Sequence, residues 1–63
     1  MDAHLEKTAL RFHERLLRYH KLGYAYNAAM GSTYMAFYHS FCVSVETMAV
    51  EYHKVELKKL KGG

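Results

Sequence analysis

Apolar side chains recur along the first half of the chain at alternating steps of four and three: Leu5, Ala9, Phe12, Leu16, Tyr19, Gly23, Tyr26 and Met30. That spacing lines one side of an α-helix. A neighbouring row of Leu10, His13, Leu17, His20, Tyr24 and Asn27 widens it into a stripe broad enough to bury. Lys7, Arg11, Arg15, Arg18 and Lys21 fall on the opposite side, and Asp2 and Glu6 suit the positive end of the helix dipole. The second half repeats the period with Tyr34, Tyr38, Phe41, Val45, Met48, Tyr52 and Val55. Within it "FCVSV" alternates as a strand would, but a lone strand has no partner in so short a chain. The following "ETMAVEYHKVELKKLK" is also strongly helix-forming.

Between the halves lies "MGSTY". Gly31 is placed to end the first helix in a left-handed conformation, and Ser32 or Thr33 to cap the second. So short a link makes the helices antiparallel neighbours. The expected fold is all-α: an antiparallel helical hairpin with helices at about 3–30 and 33–60, in a single small domain over 1–63. Gly23 either breaks the first helix or lets the second approach where a side chain would not fit. A turn centred near residues 31 and 32 sets Tyr24 near His39, Leu17 near Glu46 and Leu10 near His53.

The second helix carries a further row, Ala36, Val43, Val50 and Leu57, seven residues apart and away from the aromatic seam. A monomeric hairpin has no use for it, which points to another subunit or a protein partner. Size argues the same way. A chain of 63 residues, 51% of them apolar, is expected to fold as one domain, and scaffolds this small usually need a staple such as a disulfide, a metal or a partner subunit. Cys42 is the sole cysteine, so neither an intrachain disulfide nor a two-cysteine zinc site exists. Oligomerisation remains, with a homodimeric four-helix bundle as its expected form. The expected partner or oligomer interface is Tyr34, Met35, Ala36, Phe37, Tyr38, Phe41, Val43, Val50 and Leu57, rich in the residue types enriched where proteins meet.

Charge refines this picture at two points. No Lys, Arg, Asp or Glu occurs between Leu22 and Val45, a stretch long enough to raise a membrane span. Its Asn27, His39, tyrosines and Gly-Ser turn make it too polar for one, so no membrane span is expected. The N-terminus lacks a cationic start and apolar run of the secretory kind, so a cytoplasmic setting is expected. The formal charge of +3 and pI near 9.1 give weight to the row Lys7, Arg11, Arg15, Arg18 and Lys21, the expected contact for nucleic acid. Phe12, Tyr19 and His20 beside it suit stacking on unpaired bases.

Five histidines raise metal binding. His13 and His20 share a helix face about 10 Å apart, whereas two ligands on one helix sit three or four residues apart. The row His39, Glu46 and His53 has the same spacing, and the expected register pairs no histidines with each other. Neither a metal nor a cofactor is expected. Cys42 has no cationic neighbour in sequence, no phosphate-binding glycine loop occurs, and no catalytic residue stands out. The expectation is therefore a protein that is not an enzyme.

Two resemblances bear on function. The length, "EKTAL" at Glu6 to Leu10 and the turn near the midpoint resemble the Rop family of plasmid RNA-binding regulators. That resemblance implies a helical hairpin dimerising into a four-helix bundle, with RNA held by one exposed helix face; the second helix here is far richer in Tyr, Phe and Met than the family's. "RLLRYH" resembles the Arg-to-His spacing of HEPN-type ribonucleases and would make Arg15 and His20 the site. The leading expectation is a non-enzymatic protein–protein interaction module or small regulatory adaptor acting through an oligomeric helical bundle. A small RNA- or DNA-binding regulator is the alternative, and a HEPN-like ribonuclease a distant one.

Overall fold

Asp2 starts the first helix by accepting a hydrogen bond from the His4 amide on its side-chain carboxylate, 2.9 Å away. That satisfies one of the free amides of a helix N-terminus. The computed structural model describes Asp2–Gly62; the remaining ends of the expected domain, Met1 and Gly63, lie outside the described residues. Helix α1 runs Ala3–Ala29 and α2 runs Thr33–Gly62, so both elements stand within two residues of their expected ends. "FCVSV" is helical throughout, and Gly23 does not interrupt α1.

The link between the helices is a Schellman turn. The Ser32 amide donates to the Asn27 carbonyl at 2.8 Å and the Gly31 amide to the Ala28 carbonyl at 3.2 Å. Gly31 takes φ 77°, the left-handed conformation expected of it and one that a side chain would strain. The Ser32 carbonyl then accepts the first bond of α2, from the Ala36 amide at 2.9 Å. The two helices fold back on each other into a rod of 48 × 14 × 13 Å.

The seam between the helices is not the expected one. The aromatic rows lie outside: Phe12, Tyr19 and Tyr26 on α1, and Tyr38, Phe41, Val45, Met48, Tyr52 and Val55 on α2, are all exposed. Inward point Glu6, His13 and His20 from α1 and Ala36, His39, Glu46, Val50 and His53 from α2. Ala36 and Val50 are the buried hydrophobic residues, 7% and 5% exposed, with Val43 and Leu57 half-buried beside them. The row Ala36, Val43, Val50, Leu57 was expected to be spare surface for a partner. The hairpin itself covers it, Ala36 and Val50 nearly completely and Val43 and Leu57 in part.

The register differs from expectation by one helical turn. His20 rather than Tyr24 meets His39, His13 rather than Leu17 meets Glu46, and Glu6 rather than Leu10 meets His53. Gly23 is what permits the approach near the turn. A Cβ there would lie 2.6 Å from Cε1 and Nε2 of His39, far inside van der Waals contact.

Candidate functional site

Residues seven apart return to nearly the same side of a helix, since two turns take 7.2 residues. Glu6, His13, His20 and Asn27 therefore form a line along α1, and His39, Glu46 and His53 one along α2. Packed antiparallel, the lines meet as a ladder of polar rungs. His53 Nδ1 lies 2.7 Å from Glu6 Oε2, His13 Nδ1 lies 2.5 Å from Glu46 Oε2, and His20 and His39 meet Nδ1 to Nδ1 at 2.8 Å. Beyond the last rung, the Asn27 side-chain amide donates to the Gly23 carbonyl at 2.7 Å. Glu6 is the most buried polar residue, 2% exposed, with His39 at 5% and His20 at 9%. Glu6 stands in the first turn of α1, where it was expected to suit the helix dipole, and it also reaches the second helix.

The chemistry of each rung follows from its partners. A carboxylate only accepts, so the His13 and His53 Nδ1 atoms are donors and Nε2 carries the lone pair of the neutral ring. Two Nδ1 atoms in contact share one proton, so one of His20 and His39 donates and the other accepts. Neighbouring rungs also touch: the His13 and His53 rings are near-parallel, 17° apart in plane with centroids 5.2 Å apart. The expectation that no histidines pair is thus corrected twice, by His20 with His39 and by His13 with His53. Sequence reasoning missed the first because its register was one turn out, and the second because it joins the histidines of two neighbouring rungs rather than a facing pair. Among the described residues, no three or more His, Cys, Asp or Glu side chains form a ready-made cage for a metal ion.

An aromatic side chain precedes each inward histidine in sequence. Phe12, Tyr19, Tyr38 and Tyr52 meet the edges of His13, His20, His39 and His53 with centroids 5.0–5.3 Å apart. Tyr19 also reaches across to His39 and Tyr38 across to His20. These cross-contacts place both tyrosines on one flank of the hairpin, and Phe12 and Tyr52 continue it at heptad spacing. The Tyr38 hydroxyl titrates above the ordinary phenol value. The Cys42 thiol one turn on is the main cause, first by hydrogen bonding and then by charge, with desolvation and Tyr19 adding less.

The outer side of α2 is apolar as well. Tyr34, Phe37 and Met48 are 84%, 75% and 72% exposed. Tyr34, Phe37, Tyr38 and Phe41 line one shallow depression, while Met48, Tyr52 and Val55 line another with Thr47, Glu51 and Glu56. Of the residues expected at an interface, Tyr34, Met35, Phe37, Tyr38 and Phe41 are exposed. Ala36, Val43, Val50 and Leu57 belong to the intramolecular seam.

The outer side of α1 is cationic. Lys7, Arg11, Arg15, Arg18 and Lys21 are all exposed, and the one Lys or Arg ion pair among the described residues is Lys59 with Glu56 on α2, at 3.3 Å. Arg15 thus stands in solvent while His20 is turned into the seam. No helix of the described residues is long and apolar enough to cross a membrane. Neither a known protein family, a curated protein nor a solved structure matches the chain.

Proposed function

We propose that the protein is a non-enzymatic protein–protein interaction module that pairs with a second copy of itself as a four-helix bundle. The covered surface would be the flank bearing Phe12, Tyr19, Tyr38, Val45 and Tyr52. The observation that carries this reading is the inversion of the hairpin, which hides Ala36 and Val50 and leaves its large apolar side chains outside. Its surface gives the scale. A compact monomer of 7.3 kDa exposes about 4,200 Å², whereas this chain exposes 4920 Å². The excess, roughly 700 Å², approaches the ~800 Å² that each partner buries in a standard interface. Its radius of gyration, 14.3 Å, likewise exceeds the ~11 Å of a compact chain of this length. Pairing flank to flank would bring both polar ladders beneath a shared aromatic core. Sedimentation equilibrium at micromolar concentration tests the proposal; a stable, well-folded monomer would overturn it.

A second reading has its own observation. The five cations on the outer side of α1 are exposed and have no carboxylate partner among the described residues, which suits a run of phosphates. In this reading the bundle is a small RNA- or DNA-binding regulator. It predicts binding that falls steeply with salt and disappears when Arg11, Arg15 and Arg18 become Glu. Absence of binding at low salt would remove it.

A further inference from the structure

Two of the three rungs pair a histidine with a carboxylate, and the third pairs two histidines. Acid acts on the two kinds in opposite directions. At His13–Glu46 and His53–Glu6 a charged ring still donates from Nδ1, and the hydrogen bond becomes an ion pair. Such a rung tightens as its ring charges and is lost only when its carboxylate takes up a proton. At His20–His39 the two Nδ1 atoms stand 2.8 Å apart and share one proton. A first added proton is tolerated there, because it settles on Nε2 of the donor ring and imidazolium still donates to imidazole. A second makes donors of both Nδ1 atoms. The hydrogen bond is then gone, and two positive charges face each other between residues only 9% and 5% exposed.

The groups around this rung do not offset a second charge. Across the seam His20 meets His39 and Tyr38, and His39 meets His20, Tyr19 and the close backbone of Gly23. Tyr19 and Tyr38 also flank the rings from their own helices. Phenols are neutral in acid, as is the thiol of Cys42, which engages Tyr38. Arg18 and Lys21, beside His20 in sequence, are cationic and exposed. The next carboxylate along the seam is Glu46, a heptad from His39 and about 10 Å away by helix rise, and His13 already holds it. A pair of charges buried without a counterion is costly.

We propose that the His20–His39 rung is an acid-sensitive latch: uptake of a second proton parts the helices at the turn end of the hairpin, while the two glutamate rungs keep the far end closed. The sign follows from the protons bound. In the unfolded chain both rings charge freely below the ordinary imidazole value of about 6.5, whereas the closed latch holds one proton fewer. Stability that the latch supplies above that value is therefore lost below it, by about tenfold for each further unit of pH. The latch also shapes the surface proposed to be covered, since Tyr19 and Tyr38 lean on both rings. Only this last consequence rests on self-association; the opening itself belongs to one chain.

Double-mutant cycles at two pH values test the latch, with unfolding of the full chain measured at one fixed protein concentration. His20→Leu and His39→Leu, singly and together, give the coupling across the latch, and Glu6→Leu and His53→Leu give that across a glutamate rung. Between about pH 7.5 and about pH 5 the His20–His39 coupling is expected to fall at least about tenfold, and the Glu6–His53 coupling to hold or grow. NMR of the unsubstituted chain guards against variants that fail to fold: contacts between the His20 and His39 rings should disappear across that range while the stacking of His13 on His53 persists. An unchanged His20–His39 coupling would overturn the proposal. So would His20–His39 contacts that survive to the acid end of the range, or loss of all three rungs together.

Discussion

The outward sides of the two helices are made of opposite materials. That of α1 carries Lys7, Arg11, Arg15, Arg18 and Lys21, while that of α2 carries Tyr34, Phe37, Phe41, Met48 and Val55. A monomeric hairpin would need only one apolar side per helix, facing its neighbour. Here the facing sides mix polar rungs with Ala36, Val43, Val50 and Leu57, and α2 is apolar on its flank and back as well. The lesson is that the hairpin sets a cationic outer side on α1 against an apolar one on α2, and it is the second that leaves a row of large apolar side chains in solvent.

Breaking the apolar side should have the largest effect. Replacing Tyr38 and Phe41 together by Glu puts two charges on the surface proposed to be covered. We expect loss of association by sedimentation and of most helical circular dichroism, because the hairpin alone buries too little to pay its ordering entropy. A variant that stays associated and folded would show that α2 is wet as well, and the contrast between the helices would collapse.

Next in size is the seam that holds the two unlike helices together. Glu6→Ala leaves His53 without its buried acceptor and is expected to cost about 1–3 kcal/mol, read from urea unfolding of the associated form. The paired exchange of Glu6 and His53 for Leu should recover most of that loss, since an apolar pair of similar shape leaves nothing unsatisfied. Failure of the pair to recover would mean that the rung is not the interaction lost. Gly23→Ala is expected to be smaller. Overpacking against His39 costs about 1–3 kcal/mol and the gain in helix propensity returns about 1 kcal/mol, a net loss near 1 kcal/mol. Disappearance of the His20–His39 contact from the NMR spectrum is the more direct readout.

The smallest effect on stability belongs to the cationic side. Arg11→Glu, Arg15→Glu and Arg18→Glu, singly, should each change unfolding free energy by no more than about 0.5 kcal/mol, as exposed substitutions do. The same changes combined should remove any salt-sensitive RNA binding. A large loss of stability from any one of them would place α1's outer side in a contact as well.

The helices and the turn were legible because their signals are local. The absence of proline, the three-and-four spacing and the Gly31 position need no knowledge of the partner helix. The seam was not legible by hydrophobicity. Each helix has two rows at compatible spacing, and the aromatic row, Phe12, Tyr19, Tyr38 and Tyr52, outweighs the polar one on any transfer scale. The packing instead follows close approach and polar satisfaction: Gly23 and Ala36 admit the opposite helix, and each buried Glu or His finds its complement. A usable signal was present. Glu6, His13 and His20 read in one direction match His53, Glu46 and His39 read in the other, rung for rung. Recognising that complement requires reading the two heptad series against each other rather than each for its own amphipathicity.

The hairpin fully buries two hydrophobic residues, Ala36 and Val50, and leaves most of its large ones exposed. If association supplies the missing burial, folding is coupled to mass action, because a ligand that binds only the folded form stabilises it in proportion to the logarithm of its concentration. The chain is then its own ligand. Dilution would act on it as heat acts on a larger protein, and the folded fraction would report how many copies are present.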